Sequence, residues 1–124
     1  MLDCGGVMVI YPEGTLTRDP GLWPMQARTG AARLALEKRA PIVPMAQWGA
    51  HELVKPYGRR MHPFPRNTVR VRAGAPLDLS VYYRRPIERE ILDEVTALIK
   101  RATTPLLEPL RGECAPALLY AVEQ

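Results

Sequence analysis

The sequence has no long apolar segment and only two cysteines. No run of apolar residues in the 124-residue sequence approaches the roughly 20 residues that a membrane-spanning helix requires. Cys4 and Cys114 lie near opposite ends of the chain and have no metal-ligand spacing, so we expect two reduced thiols. These absences argue against a membrane-spanning protein, a disulfide framework and a structural zinc site.

A strong excess of one charge sign is also missing. The chain has 17 basic and 13 acidic residues, and its net charge of +4 favours anionic partners such as phosphate groups or lipid headgroups. Acidic residues such as Glu88, Glu90 and Asp93 are mixed among the basic ones, and no RNA- or DNA-binding signature is present. We therefore expect no nucleic-acid partner, and a basic nucleic-acid-binding protein is the least favoured hypothesis.

Strand and helix patterns alternate in the first part of the chain. Residues 7–11 form a continuous apolar run, which predicts a parallel strand buried on both faces. Residues 12–24 are rich in Pro, Gly, Thr and Asp and predict a loop. Helical spacing over about residues 28–39 and an apolar stretch at residues 42–47 complete a strand–helix–strand unit with a right-handed crossover.

The second part predicts one more strand and one more helix. Residues 68–73 alternate Val with Arg, as in a strand with one wet face, and residues 87–102 carry an apolar helical stripe. Pro105 and Pro109 are expected to end or kink that helix. We predict an α/β fold with a partial, mostly parallel sheet and flanking helices, forming one domain over residues 1–104 and a loosely held tail over 105–124.

One short block carries most of the functional information. It reads Tyr-Pro-Glu-Gly-Thr-Leu-Thr-Arg over residues 11–18 and directly follows the predicted buried strand. In open α/β sheets, ligands bind at the carboxyl ends of strands. The glycine permits close backbone approach, and the other polar side chains offer groups for hydroxyl or phosphate oxygens. The candidate substrate-binding residues are Glu13, Gly14, Thr15, Arg18 and, before the next helix, Arg28.

This block resembles the third conserved block of the glycerol-phosphate and lysophosphatidic acid (1-acyl-sn-glycerol-3-phosphate) O-acyltransferases, aromatic-Pro-Glu-Gly-Thr-Arg-Ser-Arg. The likeness continues through a basic residue, a glycine and a small-residue helix at residues 28–35, and through Pro-Ile-Val-Pro at residues 41–44. It covers about residues 6–75 well and the remainder in outline. Because the later features occur in the family's order and spacing, the resemblance is more specific than Pro-Glu-Gly-Thr alone.

The resemblance implies a role for each matched residue. Glu13 would hold a glycerol hydroxyl, Gly14 and Thr15 would shape the loop, and Arg18 would bind the acceptor's phosphate. Leu16 stands where the family has its first arginine, so Arg28 or Arg33 compensates or the acceptor differs. The implied reaction transfers a fatty acyl group from a coenzyme A or carrier-protein thioester to a lysophospholipid-type hydroxyl. It needs no metal and no bound cofactor, because the thioester is a substrate.

The family's catalytic His-x4-Asp motif is absent from this chain. The two histidines are His51 and His62, and five residues beyond them stand Pro56 and Asn67. The resemblance therefore implies no catalytic residue here, because the family's histidine is its general base. We expect the C-terminal half of an acyltransferase-like domain with little turnover alone. The alternative is a non-catalytic lipid-binding or regulatory remnant that retains the acceptor-binding loop.

Two further features leave alternatives open. Residues 55–66 interleave basic residues with Tyr, Met and Phe, which predicts either peripheral contact with an anionic membrane or a solvated loop. Trp23 and Trp48 flank the predicted site and are interpreted chiefly as packing residues. We expect a cytoplasmic protein, either free or attached peripherally to the inner face of the membrane.

Overall fold

In the residues that the structure describes, the regular elements are three α-helices, a short 3-10 turn and a two-stranded sheet. A computed structural model describes residues 2–15, 17–55, 58–61, 64 and 66–116. After a 3-10 turn at Leu2–Cys4, the elements in chain order are α1 (Gly30–Lys38), β1 (Met45–Trp48), α2 (Ala50–Leu53), β2 (Arg70–Ala73) and α3 (Arg89–Arg111). Helix α3 packs on both α1 and the sheet. The α/β class is confirmed.

Helix α1 confirms the helix that was predicted over residues 28–39. Its sequence, Gly-Ala-Ala-Arg-Leu-Ala-Leu-Glu-Lys, is rich in strong helix formers. Ala32, Ala35 and Leu36 are buried on one face and pack against α3. The helix ends where Arg39 takes a left-handed conformation with φ 49°, and the Arg39 N–H donates to the carbonyl oxygen of Ala35.

Strands β1 and β2 confirm two predicted strands, but they run antiparallel. Ala46 pairs with Arg72 and Trp48 pairs with Arg70. The prediction of a mostly parallel sheet is therefore not supported in the described residues. Gly49 ends β1 with φ 104°, and a Cβ there would collide with the carbonyl oxygen of Thr68. Glycine at this position allows the chain to leave β1 close to the start of β2.

The apolar segment of residues 7–11 is not a strand, so that prediction is wrong. No strand pairs with it in the described part of the chain, and Val7 and Val9 are 82% and 76% exposed. A buried strand requires neighbours that accept and donate its backbone hydrogen bonds on both sides. Without that pairing, the predicted strand–helix–strand unit does not form, and the apolar side chains of residues 7–11 are exposed to solvent.

Helix α3 extends to Arg111, nine residues beyond the predicted end at Ala102. Pro105 and Pro109 lie inside it, although proline removes a helical hydrogen bond. Packing explains the extension, because Leu107 is buried against Trp23 and Ala46. Residues 105–111 of the predicted loose tail are therefore helical, and residues 117–124 of that tail lie outside the described residues.

Two apolar clusters flank α3. The larger one joins α1 to the first half of α3 and includes Leu79 from the preceding loop. The smaller one joins Trp23 and Ala46 to Leu107 near the end of α3. Within the described residues, no helix combines the length and the apolar character needed to cross a membrane. The second cluster fixes the loop that follows the functional block.

Candidate functional site

The block at residues 11–18 forms a tight turn that the following loop closes. The Gly14 N–H donates to the Tyr11 carbonyl oxygen at 3.0 Å, and Gly14 has φ 70°, a left-handed conformation suited to glycine. The Arg28 N–H donates to the Pro12 carbonyl oxygen at 2.8 Å. These two backbone hydrogen bonds fix the conformation of the loop that carries Glu13.

Arg28 lies directly over the glycine of this turn. A Cβ built on Gly14 would lie 3.5 Å from both Cδ and Nε of Arg28. Arg28 is exposed and forms no ion pair among the described residues. Arg33, the other candidate for replacing the missing family arginine, instead pairs with Glu37 at 3.7 Å. The structure therefore favours Arg28 as the available cation beside the turn.

Lys100 is a second cation near the turn, and the sequence analysis missed it. Burial lowers the pKa of Lys100, and the negative charge of Glu13 raises it in part. Glu13 and Lys100 are both half-buried and lie in different parts of the chain. The only local signal in the sequence is a lysine next to Ile99, a core position of α3. The packing of α3 brings Lys100 within electrostatic range of Glu13.

Arg18 and Thr15 lie at the surface. The backbone N–H of Arg18 donates to the sulfur of Met25 at 3.3 Å, while its side chain is exposed and forms no ion pair in the described residues. Thr15 is exposed and Leu16 lies outside the described residues. The structure thus brings together Glu13, Gly14 and Arg28. Arg18 lies on the same loop, and its side chain forms no hydrogen bond or ion pair with them among the described residues.

Side-chain hydrogen bonds brace the segment after Arg18. The Thr17 hydroxyl donates to the Trp23 carbonyl oxygen at 2.7 Å, and the Trp23 N–H donates to Asp19 Oδ2 at 2.8 Å. The Leu22 N–H donates to the Asp19 carbonyl oxygen at 2.9 Å, and Leu22 has φ 58°. These bonds satisfy the backbone of a loop that has no strand or helix of its own.

Arg111 anchors this loop to the end of α3. Its guanidinium carbon lies 4.0 Å from the ring centroid of Trp23 and 4.2 Å from that of Trp48. Arg111 also donates from Nη1 to the Gly21 carbonyl oxygen at 2.6 Å and from Nη2 to Glu113 at 2.9 Å. The expectation that both tryptophans are packing residues is confirmed.

The chemical groups of the turn match a ligand that carries a hydroxyl and an anion. A carboxylate accepts a hydrogen bond from a hydroxyl, and a guanidinium matches the geometry of a phosphate. The described residues offer no histidine beside Glu13: the ring of His51 packs on Trp48 at 4.4 Å, and His62 lies outside the described residues. The geometry is suited to binding groups of this kind.

The Acyltransferase family model matches residues 1–48 of this chain. The match contains all five predicted site residues, from Glu13 to Arg28, and it ends at the last residue of β1. It supports an acyltransferase relationship for this part of the chain and, at that general level, an acyltransferase function. No curated protein and no solved structure shows a significant match to the chain.

Proposed function

We propose that this chain provides the acceptor-binding part of an acyltransferase that acts on lysophospholipid-type substrates. The observation that carries the proposal is the acyltransferase match over the segment in which Glu13, Gly14 and Arg28 lie together. In the proposed reaction, the acceptor's hydroxyl oxygen bonds to the carbonyl carbon of the acyl thioester. The carbon–sulfur bond then breaks, and the thiol leaves with the proton that the hydroxyl lost.

Each site residue has a defined task in this proposal. The Glu13 carboxylate accepts a hydrogen bond from a glycerol hydroxyl and so orients the acceptor. Arg28 binds the phosphate, taking the place of the arginine that Leu16 replaces, and Arg18 adds a second cation from the same loop. Gly14 adopts the left-handed φ of 70° that the turn requires, and its lack of a side chain leaves the backbone open to the acceptor. Lys100 places a further positive charge within electrostatic range of Glu13.

Turnover by the chain alone should be very low. The sequence has no His-x4-Asp motif, and positioning without a general base forgoes a factor of roughly 10²–10⁴ in rate. The experiment uses the full 124-residue chain with an acyl-coenzyme A and a short-chain lysophosphatidic acid that stays monomeric. Acceptor-dependent release of free thiol, with the product identified by mass spectrometry, measures transfer. Robust transfer would contradict this expectation.

Binding of the same acceptor tests the site directly. Isothermal titration calorimetry should show that Glu13→Gln and Arg28→Ala each weaken binding by roughly 10–100-fold, the effect of losing a hydrogen bond to a charged group. Glu37→Gln and Arg84→Ala are matched controls: both residues are exposed, and they lie on α1 and in the loop before α3. Equal affinities for the site and control variants would refute the assignment of the acceptor site.

A non-catalytic lipid-binding module is the second candidate. The missing His-x4-Asp motif favours it, since the residues proposed for binding are present while the general base is not. This candidate predicts that acceptor binding depends on Glu13 and on Arg28. It also predicts that no acyl transfer is detectable. Transfer above the uncatalysed rate that is lost in Glu13→Gln would instead identify an enzyme.

A further inference from the structure

The middle of the chain carries a strongly segregated positive charge. Residues 53–77 contain six basic residues and no acidic residue, with Glu52 and Asp78 at the flanks. The whole chain has 17 basic and 13 acidic residues. The rest of the chain therefore has 11 basic and 13 acidic residues, which gives it a net charge of −2. All of the protein's positive excess is therefore concentrated in about one fifth of its length.

These six cations are also not neutralised by the fold. Elsewhere in the chain basic residues form ion pairs, as in Lys38–Asp3, Arg85–Glu94 and Arg89–Asp93. Among the described residues, no ion pair involves any cation of the segment, and every one of them is exposed. They are Lys55, Arg59, Arg60, Arg66, Arg70 and Arg72. Their charge is thus available to an external anionic partner.

Exposed apolar side chains alternate with these cations along the chain. Phe64 is 83% exposed and Met61 is 65% exposed. Met61 pairs with Val54 in an isolated antiparallel bridge, so these two apolar residues lie side by side. On the sheet, Val71 is opposite Gln47 and is 56% exposed. Apolar surface of this kind gains free energy when it leaves water.

A lipid bilayer matches both properties, whereas a nucleic acid matches one. Phosphate groups of either partner attract the cations. Valine and methionine side chains gain little beside a phosphate backbone, but they are stabilised at the boundary between headgroups and acyl chains. We propose that the described residues between Val54 and Arg72, here termed the basic segment, dock the protein onto the surface of an anionic bilayer. The cations contact the headgroups, and Phe64 and Met61 enter the interface.

The proposal goes beyond acyl transfer and does not rest on it. Vesicles of phosphatidylcholine, with or without phosphatidylserine, contain no lysophospholipid acceptor, so vesicle binding is separate from the acceptor-binding test. In a sedimentation assay, the protein should bind the mixed vesicles, lose binding as salt is added, and not bind phosphatidylcholine alone. The double variant Arg59→Ala/Arg60→Ala should bind about 30-fold more weakly, about fivefold for each cation removed.

Two matched variants make the test specific. Arg84→Ala/Arg101→Ala removes the same charge from exposed residues outside the basic segment and should bind like the unmodified protein. Phe64→Ala keeps the charge and should still weaken binding severalfold, because the apolar contact is lost. Equal binding to neutral vesicles, or an equal loss in the two arginine double variants, would overturn the proposal. Tighter binding to duplex DNA than to mixed vesicles at the same salt would also overturn it, in favour of a nucleic-acid partner.

Discussion

The contact between Arg111 and the two tryptophans gives the most quantitative prediction. The guanidinium lies 4.0 Å and 4.2 Å from two aromatic rings, and only 6% of the side chain is exposed. Two cation–π contacts at partly desolvated positions contribute about 1 kcal/mol each. The hydrogen bond to Gly21 adds about 1 kcal/mol. We therefore expect Arg111→Ala to lower the free energy of unfolding by about 3 kcal/mol, a large part of the stability of a small domain.

Urea denaturation followed by circular dichroism measures this loss, with tryptophan fluorescence as a second probe because both tryptophans lie at the contact. Arg111→Lys keeps the charge but lacks the planar guanidinium, so its free energy of unfolding should lie between those of Arg111→Ala and the unmodified chain. The control Arg101→Ala removes an exposed arginine of the same helix and should change stability by less than about 0.5 kcal/mol. A loss in Arg111→Ala no greater than in Arg101→Ala would refute the proposed contribution.

Two further predictions concern α3. Because burial lowers the pKa of Lys100, the folded state binds its proton less tightly than the unfolded state does. Stability should therefore rise with pH between the lowered pKa and the ordinary value of about 10.5. Lys100→Met should therefore be more stable than the unmodified chain at pH 7, and this difference in stability should shrink as the pH approaches the ordinary pKa of lysine. A difference that stays constant with pH would contradict the assignment to burial of the Lys100 charge. Pro105→Ala restores an N–H inside the helix and should raise the free energy of unfolding by about 1–3 kcal/mol in urea denaturation, whereas a lower midpoint would show that proline suits this position.

Local patterns predicted those elements that depend mainly on neighbouring residues. The small, strongly helix-forming residues of α1 and the short apolar or alternating runs of β1 and β2 produced elements at the predicted places. The turn at residues 11–14 is also consistent with its sequence, because Pro12 fixes its own φ and Gly14 adopts the left-handed φ of 70° without strain. For these elements the sequence was sufficient, apart from shifts of a few residues at their ends.

Elements that depend on distant partners were predicted less well. Residues 7–11 have the composition of a buried strand, but strand formation requires a paired neighbour, and none is present among the described residues. The end of α3 was placed too early because proline disfavours a helix locally, whereas the burial of Leu107 stabilises the helix through tertiary contacts. The antiparallel direction of β2 relative to β1 likewise depends on how the connection between the two strands folds, which the residues of each strand do not specify.

For the candidate site, the sequence specifies the chemical groups of the turn, and the fold specifies which distant residues lie near it. Glu13, Gly14 and Arg28 could be selected from their order and spacing, and the structure brings the turn and Arg28 together. Lys100 and Arg111 carried no comparable signal, because each acts across a large separation in sequence. Their roles arise only when α3 packs beside the loop, since electrostatic and cation–π interactions depend on distance in space rather than along the chain.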